Sequence, residues 1–118
     1  MKAPIRKVDK PWGYELIFAH TDNYAGKILH VDPGHALSLQ YHEQKDETLF
    51  LQSGEVDIQI QDGDDGLVSH RMTAGESFHI RPGVRHRMVA GAAGCDIIEV
   101  STPQLDDVVR LEDRYGRV

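Results

Sequence analysis

The stretch Glu55-Val56-Asp57-Ile58-Gln59-Ile60-Gln61 alternates a polar residue with a β-branched apolar one at every step. A period of two puts Val56, Ile58 and Ile60 on one face and the acids and amides on the other. That is the pattern of a half-buried β-strand, and no helical stripe can be drawn through it. The "DGDDG" that follows (62–66) is turn chemistry, because Asp and Gly accept positive φ. "LVSHRM" (67–72) is then the return strand of a hairpin. The same rhythm runs through "AGKILHVDPG", "ALSLQYH", "TLFLQSG", "TAGESFHIRPG", "HRMVA" and "CDIIEVS", each bounded by Gly, Pro or Asp. Eight or nine short strands at this spacing predict an all-β sandwich or closed barrel. The exception is "LDDVVRLEDRYGRV" (105–118), whose mixed charge suggests a helical turn.

A chain of 118 residues supports one domain and no second core. Its net charge of -6 argues against a nucleic-acid binder, which needs a basic stripe, but leaves room for a small anionic ligand held by local Arg and Lys. The single cysteine, Cys95, forms no internal disulfide, so a reducing cytoplasm is the expected compartment. No apolar run is long enough to span a bilayer, so no membrane partner is expected. "MKAPIRKVDKPWGYE" has no apolar core of the kind a secretory signal carries.

Within "LSLQYHEQKDET" (37–48), Gln40 and His42 are two apart on a strand and share a face, and Glu47 opens the next apolar run. Gly34 precedes the Gln-Tyr-His triplet by five residues; Glu47 follows it after four, and Gly54 after six more. Further on, Gly75 and the Pro82-Gly83 turn lead to His86. These two motifs resemble those of the cupin superfamily, with Gln40 where the first His of the usual pair stands. The "S-x-Q-x-H" form resembles the type II phosphomannose isomerase domain. So do "KPWGYE" (10–15), "GKILHVDPGHALSLQYHEQKDE" (26–47), "HIRPGVRHRM" (79–88), "IIEV" (97–100) and "DDVVRLEDRYGR" (106–117). The resemblance covers nearly the whole chain. It implies a single-domain cupin barrel (a double-stranded β-helix, or jelly roll), with an N-terminal arm over about 1–15 and a C-terminal tail over about 104–118. It implies one divalent metal held by Gln40, His42, Glu47 and His86. Two departures bear on the substrate. Lys45, Asp46, Glu47, Thr48 and Leu49 stand where the family often has Arg and an aromatic around the Glu, and Ser101-Thr102-Pro103 replaces Gln-Ser-Gly.

The donor set is chemically coherent. Two imidazoles, a carboxylate and an amide oxygen, with no thiolate, suit Zn²⁺, Mn²⁺, Fe²⁺, Co²⁺ or Ni²⁺ and leave coordination positions open. By spacing alone, the four have a plainer alternative as ordinary polar surface residues. The resemblance implies an aldose–ketose isomerase that converts mannose 6-phosphate to fructose 6-phosphate through an enediolate. Such chemistry needs a cation beside the developing oxyanion, a base near neutral pH, and Arg or Lys for the phosphate. Arg110 matches an arginine of the family's C-terminal motif and is assigned to substrate activation or clamping; otherwise it pairs with Asp106, Asp107 or Asp113. Lys27 either reaches the pocket or snorkels at the barrel edge, and Lys10, a candidate for substrate binding, has the same two options. Glu99 is a candidate base if it faces inward and is solvated if outward.

The remaining residues take plainer readings. Trp12 and Tyr14 are expected to pack the N-terminal segment onto the barrel. His20, His30, His35, His70 and His79 are structural or exposed, Arg85 and Arg87 face away from His86, and Cys95 is a small packed side chain. The charged residues of Asp113–Gly116 are expected to dock on a partner subunit, and the chain is expected to be a homodimer. Two rival functions remain: another cupin metalloenzyme, such as a dioxygenase or an isomerase of a different sugar, and a non-catalytic sugar-binding module.

Overall fold

The computed structural model describes residues 1–64 and 66–118. Asp65, in the middle of the "DGDDG" turn, lies outside the described residues. Among the described residues nine strands follow one another: β1 (Arg6–Lys10), β2 (Gly13–His20), β3 (Ala25–Val31), β4 (Leu39–Tyr41), β5 (Glu47–Gln61), β6 (Leu67–Met72), β7 (Ser77–Ile80), β8 (His86–Ser101) and β9 (Val109–Glu112). All pairings are antiparallel, and the main path runs β1-β2-β3-β8-β4-β9, with β5 joining β6, β7 and β8. Among the described residues, no helix is long and apolar enough to cross a membrane.

The alternation read from sequence sets the core. Val56 and Ile58 on β5 are fully buried, in one core cluster with Leu29 and Val31 on β3 and with Leu49, Leu51, Met88 and Ile97. Burying each such side chain contributes about 1.5–3 kcal/mol. The hairpin after β5 forms as expected, with Val56 opposite Met72 and Gln61 opposite Leu67.

Two expectations need correction. "TLFLQSG" and "EVDIQIQ" are one strand of 15 residues, and "HRMVA" and "CDIIEVS" are one of 16. Gly54 reads as a turn in the sequence, but its φ of +83° sits in a bulge, where the β5–β8 register slips on either side. A Cβ at Gly54 would collide with the carbonyl of Gly94 on the facing strand, so the two long strands can cross this closely only without a side chain. The bulge lets β5 and β8 bend. Before the bulge β5 pairs with β7 and after it with β6, while the first residue of β8 pairs with β4 and its last seven with β3. The second correction concerns the tail. Residues 109–112 form strand β9 on β4, not a helical turn, because Leu39, Gln40 and Tyr41 offer that segment an open edge.

Candidate metal centre and cavity

Strand β4 carries Gln40 directly opposite His86 on β8 and opposite Arg110 on β9. His42 stands just past the end of β4, and Glu47 is the first residue of β5. The fold thus draws side chains from three segments to one point. Glu47 Oε1 lies 3.4 Å from His42 Nε2 and 3.2 Å from His86 Nε2. The ligand atoms of these three residues all fall within 4.8 Å of one another, and all three side chains are buried.

The other nitrogen of each ring decides what these atoms can do. His42 Nδ1–H donates to the backbone carbonyl of Asp107 at 2.6 Å, and His86 Nδ1–H donates to that of Val84 at 2.9 Å. A carbonyl only accepts, so the proton of each neutral ring sits on Nδ1 and the lone pair on Nε2. Both lone pairs then face a carboxylate oxygen. His42 Nε2, His86 Nε2 and Glu47 Oε1 are buried and have no hydrogen-bond partner among the described residues. Three converging acceptors with no proton between them would be costly in an empty core; a divalent cation satisfies all three. The residues present fit such an ion. Gln40 lines the adjoining cavity beside His42. Its Oε1 accepts a hydrogen bond from Ser38 Oγ at 2.7 Å, which leaves one lone pair free.

The segment between His42 and Glu47 is held by one side chain. Asp107 accepts from the backbone N–H of Glu43 (3.0 Å), Gln44 (2.7 Å) and Lys45 (2.9 Å). These bonds hold its carboxyl below the ordinary aspartate range against the opposing effect of desolvation. Lys45 then turns inward. Its Nζ bridges Glu47 Oε2 at 3.0 Å and Glu99 Oε2 at 3.1 Å, with about 5% of the side chain exposed. Burial pulls the ammonium down, but Glu99 and Glu47 outweigh it and raise its pKa above the usual lysine value. Glu47 is lowered well below the carboxylate range: burial raises it, and the ammonium of Lys45, 3.0 Å from Oε2, opposes that. Glu99 is raised, by burial first and by the charge of Glu47 second, with Lys45 and Lys27 opposing.

Glu99 faces inward, opposite Leu49 on β5 and Lys27 on β3. Lys27 is buried rather than snorkelled, and pairs with Glu15 at 3.3 Å. Lys10, Lys27, Glu99 and Arg110 all line one cavity with Gln40 and His42. Arg110 makes none of its alternative ion pairs among the described residues: Asp107 holds the 43–45 segment, and Asp113 holds Arg117 at 2.9 Å. Sequence reasoning passed over Lys45 and Asp107. The signal for Lys45 was present, since it stands two before Glu47 where the resembling family often has Arg.

The plainer readings can be placed. His30 pairs outward with Asp96 at 2.7 Å and stacks on Tyr14; His79 pairs with Asp46 at 2.8 Å. Trp12 is 2% exposed in the core. Arg87 turns away from the centre towards Glu112, and burial pushes the Cys95 thiol up to about 12. In the tail, Asp113 and Arg117 pair with each other and Arg114 donates to the Gly34 carbonyl. Tyr115 packs over His35, their hydroxyl and Nδ1 2.8 Å apart, and anchors the segment on its own barrel.

The family model described as "Mannose-6-phosphate isomerase C-terminal" matches residues 2–113. The chain belongs to this family. It is 40% identical over 118 residues to a mannose-1-phosphate guanylyltransferase of Escherichia coli K12, covering 96% of this chain and 23% of that protein. It is 35% identical over 116 residues to the xanthan biosynthesis protein XanB of Xanthomonas campestris, covering 95% and 24%. This family member therefore spans about a quarter of the length of the curated relatives it matches. Among solved structures it superposes on oxalate decarboxylase from Bacillus subtilis with a TM-score of 0.81 at 16% identity, covering 97% of this chain and 32% of that one. On CapF from Staphylococcus aureus the TM-score is 0.80 at 21% identity, covering 94% and 33%. On KdgF from Halomonas it is 0.72 at 20%, covering 88% and 89%. The fold is thus a cupin barrel, as the sequence motifs implied.

Proposed function

We propose that this chain is a divalent-metal-dependent aldose–ketose isomerase acting on a hexose phosphate, with mannose 6-phosphate and fructose 6-phosphate as the pair. The observation that carries the reading is the convergence of His42 Nε2, His86 Nε2 and Glu47 Oε1, three buried acceptors without a proton, beside a cavity that also holds Glu99 and Lys27. Membership of the mannose-6-phosphate isomerase C-terminal family supports the substrate.

In this reading His42, Glu47, His86 and Gln40 hold the ion, which is Zn²⁺, Mn²⁺, Fe²⁺, Co²⁺ or Ni²⁺ by its donor set. A bound divalent ion supplies Lewis-acid stabilisation of the oxygens that gain charge as the C2 proton leaves. Glu99, buried and lining the cavity, takes that proton and returns it to C1. Lys45 anchors Glu47 and Glu99 in one geometry. Lys27 keeps ammonium N–H groups beyond the one given to Glu15, and these face the substrate oxygens. Arg110 and Lys10 carry the phosphate end. A homodimer and a cytoplasmic location belong to the same proposal. The exposed Phe50 and Val100, on the outer face of β5 and β8, support a second copy there.

The test is proton NMR of mannose 6-phosphate in D₂O with metal-loaded protein, repeated with excess chelator. Chelator-sensitive deuterium uptake and appearance of fructose 6-phosphate are expected. Ligand binding with an unchanged spectrum would replace the isomerase with a sugar-binding domain.

A further inference from the structure

Six of the thirteen Lys and Arg side chains line one cavity beside the metal centre, in a chain whose net charge is -6. Three of the six are neutralised in place: Lys27 by Glu15, Lys45 by Glu47 and Glu99, and Arg117 by Asp113. The other three, Arg6, Lys10 and Arg110, have no carboxylate within ion-pair distance among the described residues. Arg6 and Lys10 reach the cavity for a simple reason. On β1 they are four apart with Val8 between them, so the period of two puts all three on the cavity side. Arg110 comes from β9, at the other end of the sheet path. Its Nε is buried without a partner among the described residues. Three like charges around one void repel each other, and an arriving anion relieves that repulsion.

We infer that Arg6, with Lys10 and Arg110, forms a subsite for the phosphate monoester of the substrate, and that edge strand β1 sets specificity for phosphorylated over free sugar. The inference rests on reading this cavity as the substrate site. Arg6 supplies the planar fork that pairs with two phosphate oxygens, and Lys10 a point charge. Among the described residues strand β1 is hydrogen-bonded on one side only, to β2, so substitutions at Arg6 leave the barrel's core pairings untouched.

Trp12 is the only tryptophan and is buried against the same cavity, so its emission reports occupancy. Metal-loaded wild type, Arg6→Gln and Lys10→Gln are titrated with mannose 6-phosphate, mannose and inorganic phosphate, with bound metal measured in each. Wild type is expected to bind mannose 6-phosphate at least about tenfold more tightly than mannose or inorganic phosphate. Arg6→Gln is expected to weaken mannose 6-phosphate about tenfold, roughly 1.4 kcal/mol, while mannose binding and metal content stay the same. Equal affinity of wild type and Arg6→Gln for mannose 6-phosphate overturns the subsite. So does inorganic phosphate binding as tightly as the sugar phosphate, which would make the ligand a free anion. If Arg6→Gln loses the preference but wild type turns nothing over, the isomerase reading fails and the subsite stands. If wild type isomerises and Arg6→Gln binds unchanged, the reverse holds.

Discussion

His42 is oriented by the backbone of Asp107, 65 residues further along the chain: its Nδ1–H meets that carbonyl at 2.6 Å. The side chain of the same aspartate caps the three N–H groups that follow His42. One residue of the C-terminal segment therefore sets both the tautomer of a metal-ligand candidate and the path of the chain towards Glu47.

Replacing Asp107 with Ala is expected to weaken metal binding about 10–100-fold, the usual effect of losing a group that orients ligands. The backbone carbonyl survives, so the loss reports on the 43–45 segment. Metal titration with a competing chelator measures it, and unchanged affinity would refute the role.

His42→Ala or His86→Ala should strip metal from purified protein. Wild type should gain thermal stability on adding ion, by about 2.7 kcal/mol at a hundredfold excess over Kd, and neither variant should. A full metal equivalent retained in both variants would remove these residues from the site.

Arg110→Ala is expected to lower kcat/KM about 100-fold, as losing one charged partner of a buried anion does, at unchanged metal content. Steady-state rates and metal analysis on the same sample decide it; a wild-type rate would exclude Arg110.

Lys45→Met leaves Glu47 and Glu99 buried without their shared cation, and is expected to cost about 3–5 kcal/mol. Adding Glu99→Gln should recover part of that, because one of the stranded charges is then gone. Denaturant unfolding of the single and double variants measures the coupling, and strictly additive losses would show that Lys45 does not join the two carboxylates.

Asp113 carries a pH prediction. Hydrogen bonds from Arg117 pull its carboxyl from 3.8 to about 2 against a smaller opposing effect of burial. A folded-state pKa below the unfolded one stabilises the fold above the unfolded value and loses that contribution as acid titrates the group. The stability gap between wild type and Asp113→Asn should be full above about pH 4 and close as pH falls towards 2. A gap that persists at pH 2 would mean the pair is not its source.

Much of this was legible in the chain. The alternation of Val56, Ile58 and Ile60 is local, set by a period of two, and it specified a half-buried strand without any tertiary information. The spacing of Gln40, His42, Glu47 and His86 carried a family resemblance, and three of the four now meet within 4.8 Å. Glycine was read less well: Gly54 takes positive φ in a turn and in a bulge alike, so only the facing Gly94 shows that β5 continues. The tail misled because Val109–Glu112 has weak strand patterning of its own and becomes β9 only against the open edge of β4.

The sequence by itself determined the class of fold and the chemical types at the centre, because both follow from near-neighbour spacing. Tertiary structure decided which way Glu99 points, that Lys45 is buried between two carboxylates, that Asp107 holds the loop, and that Arg6, Lys10 and Arg110 share one cavity. Each of these depends on pairing between strands far apart in sequence, where a shift of one residue turns a side chain from the core to solvent.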